Sequence, residues 1–167
     1  MNTPFGKAAL SATLATALLL GAGTASAGVT VNYVNPDNFS DLPMSSYDRD
    51  EVLRELARHF DKLGKKLPAG HDLAVEITDI DLAGREYPTR RAAGEVRILR
   101  GNIDWPVIDL RYTISANGQV IDSGATKLRD MDYLNRHPRH ASWDGLRYEK
   151  TLIDDWFGKT VLQNKPS

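Results

Sequence analysis

Asp79 and Asp81 stand two residues apart in "EITDIDLAGR" (76–85). In a strand, residues two apart share a face. Leu73, Val75 and Ile77 have the same parity, so an unbroken strand would turn both carboxylates onto its apolar side. Carboxylates placed this way lie about 6–7 Å apart, a spacing used for general acid/base work on glycosidic bonds. Enzymes of that kind set their acids in a substrate-sized, aromatic-lined cleft, and this chain has few aromatic residues. Burying two unpaired carboxylates would also cost on the order of several kcal/mol. A β-bulge near Thr78-Asp79 removes the conflict. It keeps Ile77, Ile80 and Leu82 inside, turns Asp81 outward and leaves Asp79 at the bulge itself. The sequence therefore predicts a broken strand rather than an acid pair.

A second constellation is His137 and His140, three apart and near Asp130 and Asp132. Imidazoles and carboxylates are zinc-ligand types. Arg136 and Arg139 stand among them, and their charge opposes a dication, so a structural or solvated loop with no metal is expected. His59 and His71 are solitary, and His59 is expected on a helix surface. "DMDYL" (130–134) alternates acids as a calcium loop does, but lacks the glycine and the closing bidentate glutamate. A turn whose Asp side chains accept backbone N–H groups fits better. There is no cysteine, no Gly-x-Ser-x-Gly elbow and no glycine-rich phosphate loop. No catalytic residue and no cofactor is expected.

The candidate binding residues are Asp79, Asp81, Arg85, Trp105, Asp130, Tyr133, Arg147 and Glu149. Arg85 is expected to pair with one of the two acids or with the loop near Trp105. Arg147 and Glu149 are expected to form helical or helix-to-sheet ion pairs, or a charged ligand patch. Trp105, between Asp104 and Pro106, is the candidate for a partly exposed aromatic, whereas Trp156 is expected in the core.

The elements that must position these groups follow from periodicity. "VTVNYV" (29–34) alternates and is β-branched, so it reads as a strand. "NPDNFSDLP" (35–43) is a loop. Residues 48–64 predict a helix, with Asp48 as N-cap, Glu51 closing a capping box and Gly64 as the stop. Leu53, Leu56, Phe60 and Leu63 form its apolar stripe, and Arg54, Glu55, Arg58, Asp61 and Lys62 a solvated face. Residues 72–82 and 95–100 predict strands, joined by a flexible basic connection (83–94). Residues 106–115 turn Ile108, Leu110, Tyr112 and Ile114 inward. Asn117-Gly118 is a two-residue hairpin turn requiring positive φ, and 119–128 returns with Ile114 opposite Ile121, Tyr112 opposite Ser123 and Leu110 opposite Ala125. A polar segment (129–143) leads to the last helix (144–161). The expected fold is α+β, a mostly antiparallel sheet of four to five strands with two packed helices, in the order β-α-β-β-β-β-α.

Ahead of these elements, one lysine, an apolar run of 13 residues and Ala25-Ser26-Ala27 have the layout of a signal peptide cleaved after Ala27. As a helix the run would span about 20 Å, short of a roughly 30 Å hydrocarbon core. Residues 28–167 would then form a single domain carrying 20 basic and 22 acidic residues. That balance favours no nucleic-acid partner. Without cysteine there is neither disulfide nor acyl attachment point, and no later stretch is apolar enough to span a membrane. A periplasmic or secreted domain is expected.

"VNPDNFSD", "DIDLAGR", "DWPVIDLRYTI", "LRDMDYL" and "LRYEKTLIDDWF" together resemble the exported bacterial family called domain of unknown function 3016. The resemblance runs from about Val29 to Phe157, and the Trp105-Pro106 step and the last helix carry it most specifically. It implies export and a small α+β domain, and no assigned activity. The opening strand also looks like that of small envelope lipoproteins, a likeness of fold alone. The expected function is non-enzymatic: an envelope accessory domain binding a partner protein, a glycan or a small ligand. The alternative is a small hydrolase or metal-dependent enzyme built on Asp79, Asp81 and the 130–140 loop.

Overall fold

The computed structural model describes residues 27–88, 95–101, 103–137 and 139–163. The expected leader, apart from Ala27, and the second half of the basic connection (89–94) lie outside the described residues. The order is β1 (Gly28–Tyr33), a 3-10 turn (Pro36–Asn38), α1 (Ser46–Gly64), β2 (His71–Asp81), β3 (Arg85–Pro88), β4 (Glu95–Ile98), β5 (Val107–Ala116), β6 (Gln119–Arg129) and α2 (Arg147–Trp156). A π-helical turn (Phe157–Val161) extends α2. Four strands form the main sheet in the order β1-β2-β5-β6, and β3 and β4 form a separate ribbon. β1 runs parallel to β2, as a strand–helix–strand crossover requires, and the other pairings are antiparallel. The fold is α+β, as the pattern predicts.

The α1 stripe is buried as its spacing demands. Leu53, Leu56, Phe60 and Leu63 pack against Leu73, Val75, Ile77, Ile108, Leu110 and Ile114 of the sheet and against Ile153, Trp156 and Phe157 of the C-terminal helix. Each such side chain contributes roughly 1.5–3 kcal/mol when removed from water. Both helices therefore cover one face of the sheet. Among the described residues, no helix is long and apolar enough to cross a membrane.

The β2 bulge falls where side-chain parity predicts it. Ile77 pairs with Leu110 and Asp79 with Asp109, which leaves Thr78 as the extra residue. Ile77 and Ile80 are fully buried and Leu82 nearly so. The hairpin turn also forms as predicted, with positive φ at Asn117 and Gly118.

Other expectations are corrected. α1 starts earlier: Ser45 is the N-cap, and its Oγ accepts the Asp48 N–H. Glu51 is too far along to close a box and instead accepts from Arg54 and Arg58. Gly64 remains helical, with Lys65 as the cap. Its value is closeness, because a Cβ there would lie 2.5 Å from Val29 Cγ2. The connection after β2 contains a strand, β3, paired with β4. The β5–β6 register slips by one at a bulge between Ile114 and Ser115, setting Tyr112 opposite Gly124 and Leu110 opposite Thr126. The Tyr112 ring occupies the space beside Gly124, where an added Cβ would approach it to 3.0–3.1 Å.

Candidate functional site

The bulge separates the two aspartates chemically. Asp79 receives both the backbone N–H (2.7 Å) and the Oγ–H (2.6 Å) of Ser40. It thereby fastens the loop that leads to α1. Asp81 binds Arg85 at 2.7 Å, and Arg85 also reaches Asp41 at 3.3 Å. Arg97 completes this cluster through Asp41 (2.6 Å) and Glu86 (3.2 Å). Each acid has a different structural partner, so the pair acts as two fasteners. Trp105 is half-buried just ahead of β5.

Three other candidates come together. Tyr133 is buried, and its hydroxyl donates to Asp104 at 3.1 Å. Asp104 in turn accepts the Arg100 N–H with both oxygens. Burial, and then the hydrogen bond to Asp104, push the Tyr133 phenol up to about 12. Its ring meets Tyr148 edge-on at 4.7 Å, and Arg147 stacks on Tyr148 while donating to its hydroxyl at 2.8 Å. Asp130 is held by Arg136 at 2.8 Å. Asp130, Tyr133 and Arg147 line a crevice of only about 20 Å³. That is room for about one water.

Glu149 does not make the expected ion pair. It is 1% exposed, its Oε1 accepts the Ala83 N–H at 2.7 Å, and its Oε2 has no hydrogen-bond partner among the described residues. Burial raises its pKa.

The denser polar constellation lies at the seam between the helices. His59, expected on the surface, is 7% exposed. It sits on the margin of the α1 stripe and faces α2. Its Nε2 lies 2.8 Å from Asp154 Oδ1, and the Nε2 of His140 lies 2.9 Å from Asp154 Oδ2. The two rings meet edge-on at 5.2 Å. One helical turn before His59 comes Glu55, and one turn before Asp154 comes Lys150. Lys150 Nζ bridges Glu55 (2.8 Å) and Asp144 (2.7 Å). The seam thus has two stacked rungs, Glu55–Lys150–Asp144 and His59–Asp154–His140. Each takes one group from α1, one from α2 and one from the segment before α2. Residues i and i+4 on a helix lie above one another, which stacks the rungs.

Burial pushes Asp154 up, but hydrogen bonds and charge from His59 and His140 outweigh it and hold the carboxyl below its usual range. Desolvation likewise works against Lys150, and its bonds to Asp144 and Glu55 carry the ammonium above its ordinary value. A cleft of about 280 Å³ opens over both rungs, lined by Glu55, Arg58, His59, Lys62, His140, Asp144 and Lys150. The arrangement can clamp two helices, and it presents two imidazoles and a carboxylate to one point.

His140 is thus drawn to α1 and α2 rather than to a partnership with His137, Asp130 and Asp132. The sequence reading misses His59, Lys150 and Asp154. The available signal is a pair of matched i,i+4 steps, Glu55/His59 on one helix and Lys150/Asp154 on the other, with complementary charge.

Fold and site together define a small α+β domain whose two helices are joined across one sheet face by a polar seam. The family model described as "Protein of unknown function (DUF3016)" matches residues 27–159, and the chain belongs to that family. No curated protein matches the chain.

Proposed function

We propose that this chain is an exported, non-enzymatic domain that binds an envelope glycan. The observation that carries this reading is Trp143, which is 87% exposed. Its indole borders a groove of about 440 Å³ between α1 and the segment before α2, with Pro43, Val52 and Leu146 as apolar lining and Asp48 and Glu51 as carboxylates. An open indole offers a face for sugar C–H groups, and flanking carboxylates accept sugar hydroxyls. Large exposed aromatics beside polar groups are characteristic of binding surfaces. Met44, just ahead of α1, and Tyr47, in its first turn, are exposed as well. The leader-like residues 1–27 support export. The enzymatic alternative has less support, because Asp79 and Asp81 engage different partners.

Titration of the purified chain with soluble cell-wall glycan fragments should shift tryptophan emission. Trp143→Ala should weaken binding at least about tenfold, equivalent to about 1.4 kcal/mol, without lowering stability. Binding that survives the substitution, or no binding at all, overturns the reading. A product in the envelope fraction whose intact mass begins at Gly28 tests export. One retaining residues 8–20 overturns that part.

A further inference from the structure

We propose that His59, His140 and Asp154 form a binding site for one divalent transition-metal ion, with zinc as the best fit. The inference goes beyond the glycan reading and does not depend on it. His59 comes from α1, His140 from the segment before α2, and Asp154 from α2. One donor atom from each lies within 4.8 Å of the others. Both imidazoles present Nε2, and they address different oxygens of the same carboxylate, at 2.8 and 2.9 Å. Zinc holds nitrogen and oxygen ligands at about 2.0–2.2 Å in a tetrahedron, so its ligand atoms lie roughly 3.5 Å apart. The observed separations, 2.8 and 2.9 Å between imidazole and carboxylate and no more than 4.8 Å across the set, bracket that spacing.

Donor chemistry selects the ion. Two imidazole nitrogens and one carboxylate suit zinc and its first-row neighbours, whereas calcium and magnesium take oxygen ligands. Three protein ligands leave one tetrahedral position for water. His59 and His140 both line the 280 Å³ cleft, which gives that position a route to solvent. The charges lining the cleft do not repel a dication. Lys150 is held by Glu55 and Asp144, and Arg58 by Glu51 and Glu55. With Asp154 included, three carboxylates stand against Arg58, Lys62 and Lys150.

Proton balance is simple. A neutral imidazole that donates from Nε2 to Asp154 shifts that proton to Nδ1, and the freed Nε2 lone pair takes the metal. An imidazolium releases one proton to water. Zinc binding should therefore weaken in acid.

The test uses zinc alone on the purified chain, stripped with a chelator and then dialysed against zinc. Elemental analysis should give one zinc per chain. Cobalt in place of zinc should give the visible absorption of a tetrahedral site. His140→Gln alters a partly exposed residue outside the helices and should weaken zinc at least tenfold, and Asp154→Asn should do the same. His137→Gln, three residues away and outside the cluster, should bind as wild type. Calcium and magnesium should not compete. Substoichiometric zinc in the wild type overturns the proposal, as does His140→Gln retaining full affinity or His137→Gln losing it.

Discussion

Glu149 and Asp154 are carboxylates on the same helix, five residues apart, and the fold treats them oppositely. Glu149 is the more deeply buried and has one N–H donor, from Ala83. Asp154 is part-buried and has a histidine on each oxygen. Desolvation acts on both. It prevails at Glu149, whose pKa rises, and is outweighed at Asp154, whose pKa falls. A carboxylate's state inside a protein is set by the donors around each oxygen as well as by depth. One buried N–H does not replace the water lost from two oxygens, whereas two imidazoles do.

The sharpest way to break this contrast is to remove the well-paired acid. Asp154→Ala leaves the buried His59 and the part-buried His140 without their shared acceptor. It should cost about 2–3 kcal/mol at neutral pH, read from urea denaturation. Because the folded pKa of Asp154 is lowered, its contribution is present above the unfolded pKa near 4 and is lost as pH falls through the folded value. The penalty of Asp154→Ala should therefore shrink below about pH 4.

Glu149→Gln should act in the other direction. A raised folded pKa means that the native state resists ionisation. Stability from this group is greatest below the unfolded pKa near 4 and declines as pH rises through the folded value. Glutamine keeps the acceptor for Ala83 and removes the charge. The variant should be more stable than the parent by about 1 kcal/mol at pH 7–8, with the gain disappearing near pH 4. A Glu149→Gln protein that loses stability at pH 8 would show that the buried carboxylate is compensated as well as Asp154 is.

Asp81 supplies the baseline. It is partly exposed and pairs with Arg85, itself 46% exposed. Asp81→Asn should change stability by about 0.5 kcal/mol or less in urea denaturation at neutral pH. A larger loss would mean that the Asp41–Arg85–Arg97 cluster is coupled strongly enough to rival the helix seam.

The sequence discloses the local features and hides the convergent ones. The bulge was readable because Ile77 and Ile80 are both apolar yet differ in parity. The hairpin turn was readable because Asn117-Gly118 needs no partner to favour positive φ. β3 was hidden because four residues ending in Pro88 carry no alternation of their own, and they are strand only by pairing with β4. The slipped register of β6 depends on the fit of Tyr112 over Gly124, which turn chemistry does not encode. The seam was the least legible. His59–Asp154 and Lys150–Glu55 each span 95 residues, and no window along the chain brings such partners together. His140 looked like half of a local pair with His137, and only the packing of α1 on α2 redirects it.

The sheet order has a kinetic consequence. β5 and β6 join across a two-residue turn, so their pairing closes a very short loop. β2 has no such neighbour. Its pairing with β1 joins residues 44 apart at Gly28 and Asp72, and its other edge waits for β5, beyond the β3–β4 ribbon. Closing long loops consumes chain entropy before contacts repay it, and non-local pairing is slow. The hairpin should therefore organise early and the N-terminal strand dock last, although it leaves the ribosome first. Asn117→Val should then slow refolding, and Val31→Ala should mainly speed unfolding, in stopped-flow measurements. The reverse assignment of those rates would place β1 in the folding nucleus. On the expected order, the first strand spends the interval before docking with an unpaired backbone, and its edge is the part of the chain most open to pairing with another molecule during that time.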